Sequence, residues 1–423
     1  MIRDVGGDFV DNRSHVPASA ENRKASLPAL TGARFFAAFA VVVWHYGAEA
    51  MRYFGPLAAC ARCGPLAVSF FYVLSGAVMT WGCTGSDGTS ARPSGTFWAQ
   101  RAARILPAYA LAIALSLLPF AAAVLHAHTG SSAVVRVALG TIASCLLVQA
   151  FIVPLAVGLN TPGWSISCEA FFYANWPRLV SALRWEKASF PWLRALALWM
   201  AGCSVPVLAM IALRASVVPV GPFATLLEDV NGNEMLARTV TYFPPFRLPE
   251  FALGIVVGHA LRGTPNRVRS VARDTAVEAL LVAVLALVTW LLGSGTVERL
   301  SSGLVETRLC VESGVASPLF ALFVWQLSRG DGVVKRLLSR PFVVLLGESS
   351  YALYVLQDPV LTYTTGVLKR VLPVATRHWG TTFWLYALLL SVVSILVHKK
   401  WEMPLRSMLL RRLASRFQRA AAP

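Results

Sequence analysis

The chain is divided into apolar runs of the length that an α-helix needs to cross the hydrocarbon core of a bilayer, about 17 to 25 residues. Ten such runs follow one another, at 28–47, 65–83, 104–125, 164–182, 192–213, 247–262, 275–293, 309–328, 341–363 and 380–398. Because a backbone in lipid has to satisfy its own hydrogen bonds, runs of this length favour helices. The sequence therefore predicts an all-α fold, a polytopic integral membrane helical bundle with about ten transmembrane helices.

Composition supports a membrane protein over a soluble one. Apolar residues make up 56% of the chain and charged residues only 14%, which lies outside the range of soluble globular domains. The excess of 38 Lys and Arg over 21 Asp and Glu is compatible with nucleic-acid binding or with basic cytoplasmic loops. The basic clusters lie between the apolar runs, mostly on one side of the expected membrane. We therefore expect membrane lipids as partners and no nucleic acid.

One further apolar segment, 135–157, has an ambiguous length. If it crossed the membrane, every later segment would change sides and the basic clusters would no longer share one side. The sequence therefore predicts that 135–157 is re-entrant or lies at the outer interface. Ten spans then place both termini in the cytoplasm.

Three regions are expected along the chain. Residues 1–26 are polar and charged, which predicts a disordered cytoplasmic tail and no cleavable signal peptide. Residues 27–405 form one transmembrane domain, and residues 406–423 form a basic cytoplasmic tail. The longest outer loop, 214–246, either covers a site or is a solvated connection.

Two polar residues interrupt the first apolar run, Arg34 and His45. Eleven residues make about three helical turns plus roughly 20°, a rise of about 16 Å, so both side chains leave the same face at different depths. An ionisable residue in hydrocarbon usually faces a hydrated interior, and the alternative is a snorkelling arginine with a capped histidine. We expect Arg34 and His45 to share one hydrated tunnel through the bundle.

Two further arginines, Arg101 and Arg104, share one helical face where the third apolar run begins. Guanidinium groups offer a fixed fork of donors that matches phosphate oxygens, so with Arg34 they indicate a phosphate-binding entrance at the inner end. Simple anchoring at the membrane surface is the alternative.

A carboxylate, Glu169, lies in the fourth apolar run near its expected outer end. A charge in that medium needs a partner. His45 is also expected near an outer end, and a histidine beside a carboxylate is the usual arrangement of a general base. We therefore expect Glu169 to assist His45.

Other side chains favour no separate chemistry. His126 and His128 have no further ligands at metal-binding spacing, and no metal site is expected. Cys60 and Cys63 stand in an outer loop, where a disulfide is more plausible than a redox function. Glu250, Glu278, Glu348 and Asp358 lie in or at the edges of apolar runs, where carboxylates form structural pairs or face a cavity, and of the four Glu250 and Asp358 are the better candidates to face a cavity. The sequence contains no phosphate-binding glycine loop and no nucleophile elbow.

Several stretches together resemble the acyltransferase type 3 family of polytopic membrane enzymes, in the family's order and over roughly residues 27 to 410. They are Leu30-Thr-Gly-Ala-Arg-Phe-Phe-Ala-Ala with the spacing of Arg34 and His45, Phe70-Phe-Tyr-Val-Leu-Ser-Gly76, Arg101-Ala-Ala-Arg-Ile-Leu-Pro107, Trp164-Ser-Ile-Ser-Cys-Glu169 running into Phe172-Tyr173, Leu248-Pro-Glu-Phe-Ala-Leu-Gly254, Gly347-Glu-Ser-Ser-Tyr-Ala-Leu-Tyr354 and Trp401-Glu-Met-Pro404.

The resemblance implies an enzyme of the bacterial inner membrane that moves an acyl group, commonly acetyl, from cytoplasmic acyl-CoA to a hydroxyl of a cell-surface or lipid-linked glycan. Acyl-CoA is then a donor substrate, and no cofactor is permanently bound. On this resemblance Arg34, Arg101 and Arg104 hold the donor's phosphates, while His45 takes the acceptor's proton with the help of Glu169. The matched stretches also supply Ser75, Trp164 and Tyr173, which we expect to contact substrate.

One departure from the family pattern keeps two alternatives open. Many relatives have a histidine where this chain has Gln357, in Val355-Leu-Gln357-Asp-Pro359. A catalytically silent relative therefore remains possible. A polytopic exporter of a glycan or lipid-linked precursor is the other alternative, although no internal repeat typical of transporters is visible.

Overall fold

The protein is described here by a computed structural model. The described residues are 27–62, 64–85, 88–91, 93–128, 130–183, 191–215, 238–263, 270–296, 299 and 314–420. About 89% of the structure is helical and it contains no strand within these ranges. The predicted all-α fold is therefore confirmed.

The helices follow the predicted apolar runs. Numbered along the chain, they are α1 (Pro28–Tyr46), α2 (Ala48–Met51), α3 (Gly64–Cys83), α4 (Ser94–Ala127), α5 (Ser131–Cys145), α6 (Gly163–Ala182), α7 (Pro191–Ala215), α8 (Pro244–Gly263), α9 (Val271–Gly293), α10 (Ser317–Arg329), α11 (Val333–Leu338), α12 (Pro341–Val371), α13 (Pro373–Arg377), α14 (Trp379–Val397) and α15 (Met403–Ala420). A 3-10 segment, Arg52–Arg62, follows α2, and a π-helical turn, His398–Glu402, joins α14 to α15.

Proline residues mark where several of these helices begin. In α1, α10 and α12 a proline occupies one of the first two helical positions, where its missing N–H removes no helical hydrogen bond. These three helices end at residues outside helical geometry, Gly47, Gly330 and Leu372. Five helical stretches are long and apolar enough to cross a bilayer: Pro28–Tyr46, Gly64–Cys83, Ser94–Ala127, Val271–Gly293 and Trp379–Arg412. The chain is an integral membrane protein, and the count of about ten spans stays a prediction.

The ambiguous segment 135–157 is not one continuous helix. Helix α5 ends at Cys145, and two 3-10 turns follow, at Gln149–Phe151 and Val153–Leu155. Between the end of α5 and the first of these turns, Leu147 takes a positive φ of 59°, a conformation that ends a helix. The 15 residues of α5 rise about 22 Å, less than the roughly 30 Å of a hydrocarbon core. This break fits a re-entrant or interfacial segment, and its course through the membrane stays a prediction.

Small residues allow two pairs of helices to pack closely. On the α3–α8 contact, a Cβ added to Gly254 would overlap the backbone oxygen of Val73, and one added to Gly76 would overlap that of Phe251. On the α1–α12 contact, a Cβ on Gly347 would overlap the backbone oxygen of Thr31. In lipid, where helix association depends on close packing, such contacts hold the bundle together.

A buried ion pair lies beside the α3–α8 contact. An Nη atom of Arg247 lies 3.2 Å from a carboxylate oxygen of Glu250, and the hydroxyl of Ser69 donates a hydrogen bond of 2.9 Å to that carboxylate. Both charged side chains are almost fully buried. Of the two expectations for Glu250, a structural pair or a place facing a cavity, the structure shows the structural pair, with Arg247.

Some of the sequence-based predictions concern residues outside the ranges that the structure describes. The tail 1–26, most of the loop 214–246 and Cys63 lie outside the described residues. Cys60 forms no disulfide with any cysteine of the described ranges, and its pairing with Cys63 stays a prediction. The basic segment 406–423 is helical as far as Ala420.

Replacing Gly254 with alanine should lower the thermal unfolding midpoint of the purified protein in detergent. The added methyl group would press on the Val73 carbonyl, and overpacking of this kind costs about 1–3 kcal/mol. The matched control is Gly366→Ala in α12, where a Cβ meets no atom within 4 Å. Alanine there should leave the midpoint unchanged or raise it, since alanine favours a helix over glycine. A Gly254→Ala midpoint equal to that of the control would contradict the close packing of α3 on α8.

Candidate active site

A cavity of about 170 Å³ opens between α1, α3, α4 and α6 at the end of the bundle where α1 begins. Its polar lining is contributed by four helices: Thr31, Arg34, Ser75, Arg101, Arg104, Glu169 and Tyr173. The structure thus brings together five of the predicted binding residues and the predicted carboxylate. We refer to this space as the arginine cavity.

The three arginines reach the cavity from two helices. Arg34 projects from the second turn of α1, and Arg101 and Arg104 lie one turn apart on α4, as their spacing predicts. The guanidinium of Arg101 lies over the ring of Phe97 at 5.7 Å, which supports the side chain from behind. The Nε atoms of Arg34 and Arg101 are buried without a hydrogen-bond partner in the described part of the chain. Unused donors of this kind are available to a ligand.

A chain of hydroxyl groups connects α3 to the carboxylate on α6. The hydroxyl of Tyr173 donates a 3.1 Å hydrogen bond to Glu169, four residues earlier on the same helix. The hydroxyls of Tyr173 and Ser75 are 3.2 Å apart, and since the Tyr173 proton is used by Glu169, Ser75 is the donor between them. The indole N–H of Trp98 holds the Tyr173 backbone oxygen at 3.1 Å. These contacts orient Glu169 towards the arginines.

A second, smaller chamber of about 30 Å³ continues from the arginine cavity into the bundle. It shares Arg34 and Glu169 with that cavity and is also lined by Ser165 and Tyr354, whose hydroxyls are 2.8 Å apart. A space of this size with several polar groups has room for a water molecule. Polar groups therefore extend from the arginines towards the middle of α12.

His45 lies at the other end of α1, one residue before its last. Its Nδ1 atom is 2.9 Å from Oε1 of Gln357 on α12. The rings of its chain neighbours flank it, with centroids 4.5 Å away for Trp44 and 5.5 Å away for Tyr46. The partner of the candidate base is therefore an amide.

Two expectations from the sequence differ from this geometry. Glu169 was expected beside His45, and instead it lies in the arginine cavity, hydrogen-bonded to Tyr173. The reason is the position of Glu169 along α6: that helix begins at Gly163, so Glu169 lies about two turns inside it and away from the end near His45. Arg34 and His45 were also expected to share one tunnel. Of the two chambers described here, Arg34 lines both, and His45 lines neither.

Trp164 also lies away from the two chambers. Its side chain is buried at the start of α6, and its ring packs on that of Tyr242 with centroids 4.8 Å apart. Its contact with substrate stays a prediction, whereas Ser75 and Tyr173 line the arginine cavity.

Sequence reasoning missed the partners supplied by α12 and by the end of α14. Gln357 was noted only as a departure from the family pattern, although a buried amide one helix away is what a histidine in lipid requires. Tyr354 and Ser165 lie inside matched stretches, which was the available signal. The buried pair of His398 and Glu402 was also missed. The two side chains are 3.0 Å apart in the π-helical turn, and they are four residues apart in the chain, a spacing at which side chains on a helix meet.

Comparison with known proteins gives a consistent result. A family model described as "Acyltransferase domain" matches residues 27–397. The chain is 29% identical to the acyltransferase MdmB of Streptomyces mycarofaciens over 370 residues, which covers 85% of each protein. No solved structure is significantly similar. Because the family model matches residues 27–397 of a chain built of apolar helices, the chain is an acyltransferase and belongs to the acyltransferase type 3 family.

Proposed function

We propose that the protein transfers an acyl group, commonly acetyl, from acyl-CoA to a hydroxyl of a glycan, and that the arginine cavity binds the donor. The observation that carries this proposal is the charge of the cavity. Three guanidinium groups line it together with a single carboxylate, Glu169. Like charges so close together are unfavourable in a low-dielectric medium unless an anion joins them. Acyl-CoA brings several phosphate charges, and guanidinium groups bind phosphate with paired hydrogen bonds.

The reaction then needs a base for the acceptor hydroxyl, and His45 is the candidate. As the acceptor oxygen attacks the thioester carbonyl, the imidazole takes its proton. A new C–O bond forms, the C–S bond breaks, and the CoA thiolate leaves with the proton returned from His45. Transfer is direct, so no covalent enzyme intermediate is required. The arginine cavity contains Ser75, but the hydrogen bonds of its hydroxyl within the described residues join it to Tyr173 and Met79 and not directly to a histidine or a carboxylate.

Glu169 has a supporting role on the donor side in this scheme. Its carboxylate faces the arginine cavity and is oriented by Tyr173. A single negative charge among three guanidinium groups keeps their side chains directed into the cavity while leaving a net positive charge for phosphate. Glu169 therefore assists the reaction by holding the donor site in shape.

We further propose that the arginine end of the bundle faces the cytoplasm of a bacterial inner membrane, where acyl-CoA is available, with both termini on that side. Support comes from the basic clusters between the apolar runs, which ten spans place on one side. The histidine end then faces the acceptor, a cell-surface or lipid-linked glycan. The family match does not support the alternative function, export of such a glycan, because the matched family model is that of an acyltransferase domain.

Removing one cavity arginine should weaken donor binding. Charged hydrogen bonds contribute about 1.5–3 kcal/mol each, so Arg101→Ala and Arg104→Ala should each raise the Kd for acetyl-CoA about 10- to 100-fold. Titration of tritiated acetyl-CoA against purified protein in nanodiscs measures this. Arg370→Ala, an exposed arginine in the last turn of α12, is the control and should leave the Kd unchanged. Unaltered affinity in both cavity variants would refute the donor site.

Replacing His45 with alanine should abolish transfer and spare donor binding. Loss of a general base typically slows a reaction about 10²- to 10⁴-fold, whereas the phosphates bind at the other end of α1. The assay follows label from tritiated acetyl-CoA into the glycan fraction of inverted membrane vesicles that contain the protein. His126→Ala, an exposed histidine in the last turn of α4, is the control and should transfer label normally. Transfer by His45→Ala at the wild-type rate would exclude His45 as the base.

A further inference from the structure

The side chain that holds His45 is Gln357, and its orientation is determined by its surroundings. Gln357 is fully buried on α12. Its Oε1 atom lies 2.9 Å from Nδ1 of His45, and its Nε2–H donates a 2.8 Å hydrogen bond to the backbone oxygen of Tyr354. A backbone oxygen only accepts hydrogen bonds. If the amide were reversed, two oxygens would face each other, so the amide oxygen has to point at His45.

This orientation determines which imidazole nitrogen carries the proton. An amide oxygen is an acceptor, so Nδ1 of His45 has to be the donor in the 2.9 Å contact. In the neutral ring Nε2 is then unprotonated and has a free lone pair. The tautomer of a histidine is commonly set in this way, by the hydrogen bond that its other nitrogen makes.

The segment of α12 around Gln357 is itself held by hydrogen bonds from another part of the chain. Pro359 has no N–H, so the backbone oxygen of Val355 lacks its helical partner. The side chain of Asn160 fills this gap with a 2.9 Å hydrogen bond to that oxygen. The backbone N–H of the next residue, Thr161, donates a 2.6 Å hydrogen bond to the carboxylate of Asp358. The turn before α6 therefore forms hydrogen bonds with α12 on both sides of Gln357, at Val355 and at Asp358.

A third helix completes the support. The hydroxyl of Tyr386 on α14 donates a 2.9 Å hydrogen bond to the backbone oxygen of Gln357. The ring of Tyr386 also packs edge-on against that of Tyr46, the residue after His45, with centroids 5.9 Å apart. Both ends of the His45–Gln357 contact are thus held by α14.

We propose that Gln357 is a positioning residue for the acyl transfer described above: it holds His45 in the tautomer with its proton on Nδ1 and leaves Nε2 to take the acceptor's proton. The inference rests on the proposed role of His45 as the base. It also assigns a function to the departure from the family pattern, because a neutral amide orients the imidazole without adding a second titrating group. The ionisable side chains nearest on α12 and α14, Asp358 and Tyr386, have partners elsewhere, the Thr161 N–H and the Gln357 carbonyl.

The first test removes the amide. Gln357→Leu keeps the volume and should lower kcat for label transfer from acetyl-CoA about 10- to 100-fold, the usual effect of losing a residue that orients a functional histidine. The KM for acetyl-CoA should stay within about twofold, because the arginines lie at the other end of α1. Gln326→Leu, which removes a buried glutamine from α10, is the matched control and should change neither constant. A wild-type kcat in Gln357→Leu would overturn the proposal.

The second test changes the charge and keeps the acceptor. In Gln357→Glu one carboxyl oxygen still accepts from Nδ1, while the other replaces the Nε2–H opposite the Tyr354 backbone oxygen and has to turn away from it when the group is ionised. The negative charge of the ionised group stabilises the protonated imidazole. The base is then available only at higher pH, so the acid limb of the kcat–pH profile should move upward by about one unit or more. A purely structural glutamine would give reduced folded protein with an unmoved limb. An unmoved limb in a folded variant whose new carboxyl group is ionised, as its infrared carboxylate band shows, would therefore overturn the proposal.

A third measurement reads the tautomer directly and separates the two proposals. Nitrogen NMR of protein labelled at histidine distinguishes the two neutral tautomers, and His45→Ala identifies the signal. We expect Nδ1 protonated in wild type and Nε2 protonated in a large fraction of Gln357→Leu. Wild-type protein with Nε2 protonated would overturn the role of Gln357 alone. Full activity of His45→Ala would instead overturn the proposed base, whatever Gln357 does.

Discussion

Two polar side chains on α1, Arg34 and His45, need polar partners in an apolar medium, and the rest of the structure depends on how these partners are supplied. An unpaired guanidinium or imidazole in hydrocarbon costs several kcal/mol, so neighbouring helices have to supply polar groups at two depths. At one depth α4 and α6 surround Arg34 with arginines and the carboxylate of Glu169. About 16 Å along the helix, α12 supplies the amide of Gln357 to His45. Three helices, α4, α6 and α12, are thus tied to α1 by polar groups.

Close packing makes these long-range pairs possible. Glycines on α1 and α12 bring the two backbones together, so that a glutamine side chain spans the gap to His45. The turn at Asn160 and Thr161 then supplies the hydrogen bond that Pro359 removes from α12. A proline in a membrane helix is tolerated when a neighbour satisfies the freed carbonyl. Here that neighbour also positions the start of α6, the helix that carries Glu169 and Tyr173.

The sequence was sufficient for features that depend on one segment at a time. Apolar runs predicted the helices, and helical spacing put Arg101 and Arg104 on one face, because both are properties of a local pattern. It was insufficient where the partner lies far along the chain. Glu169 was expected to act beside His45 only because both residues were expected near the same membrane surface. The depth of a residue in the membrane does not reveal which helices are in contact. The contact between His45 and Gln357 joins residues 312 positions apart. The broken course after Cys145 was anticipated only from the distribution of charge.

The separation of the two polar levels has a chemical consequence. Phosphate charges bound at the arginines would be held about 16 Å from the imidazole, so the thioester has to reach His45 on the extended arm of CoA. Ser165 and Tyr354 line the smaller chamber, which continues from the arginine cavity towards α12, the helix that carries Gln357. In that position a neutral partner for His45 is physically favourable. A carboxylate would add a buried charge that strengthens the hold on the proton, whereas the amide of Gln357 orients the ring and leaves the proton free to return to the departing thiolate.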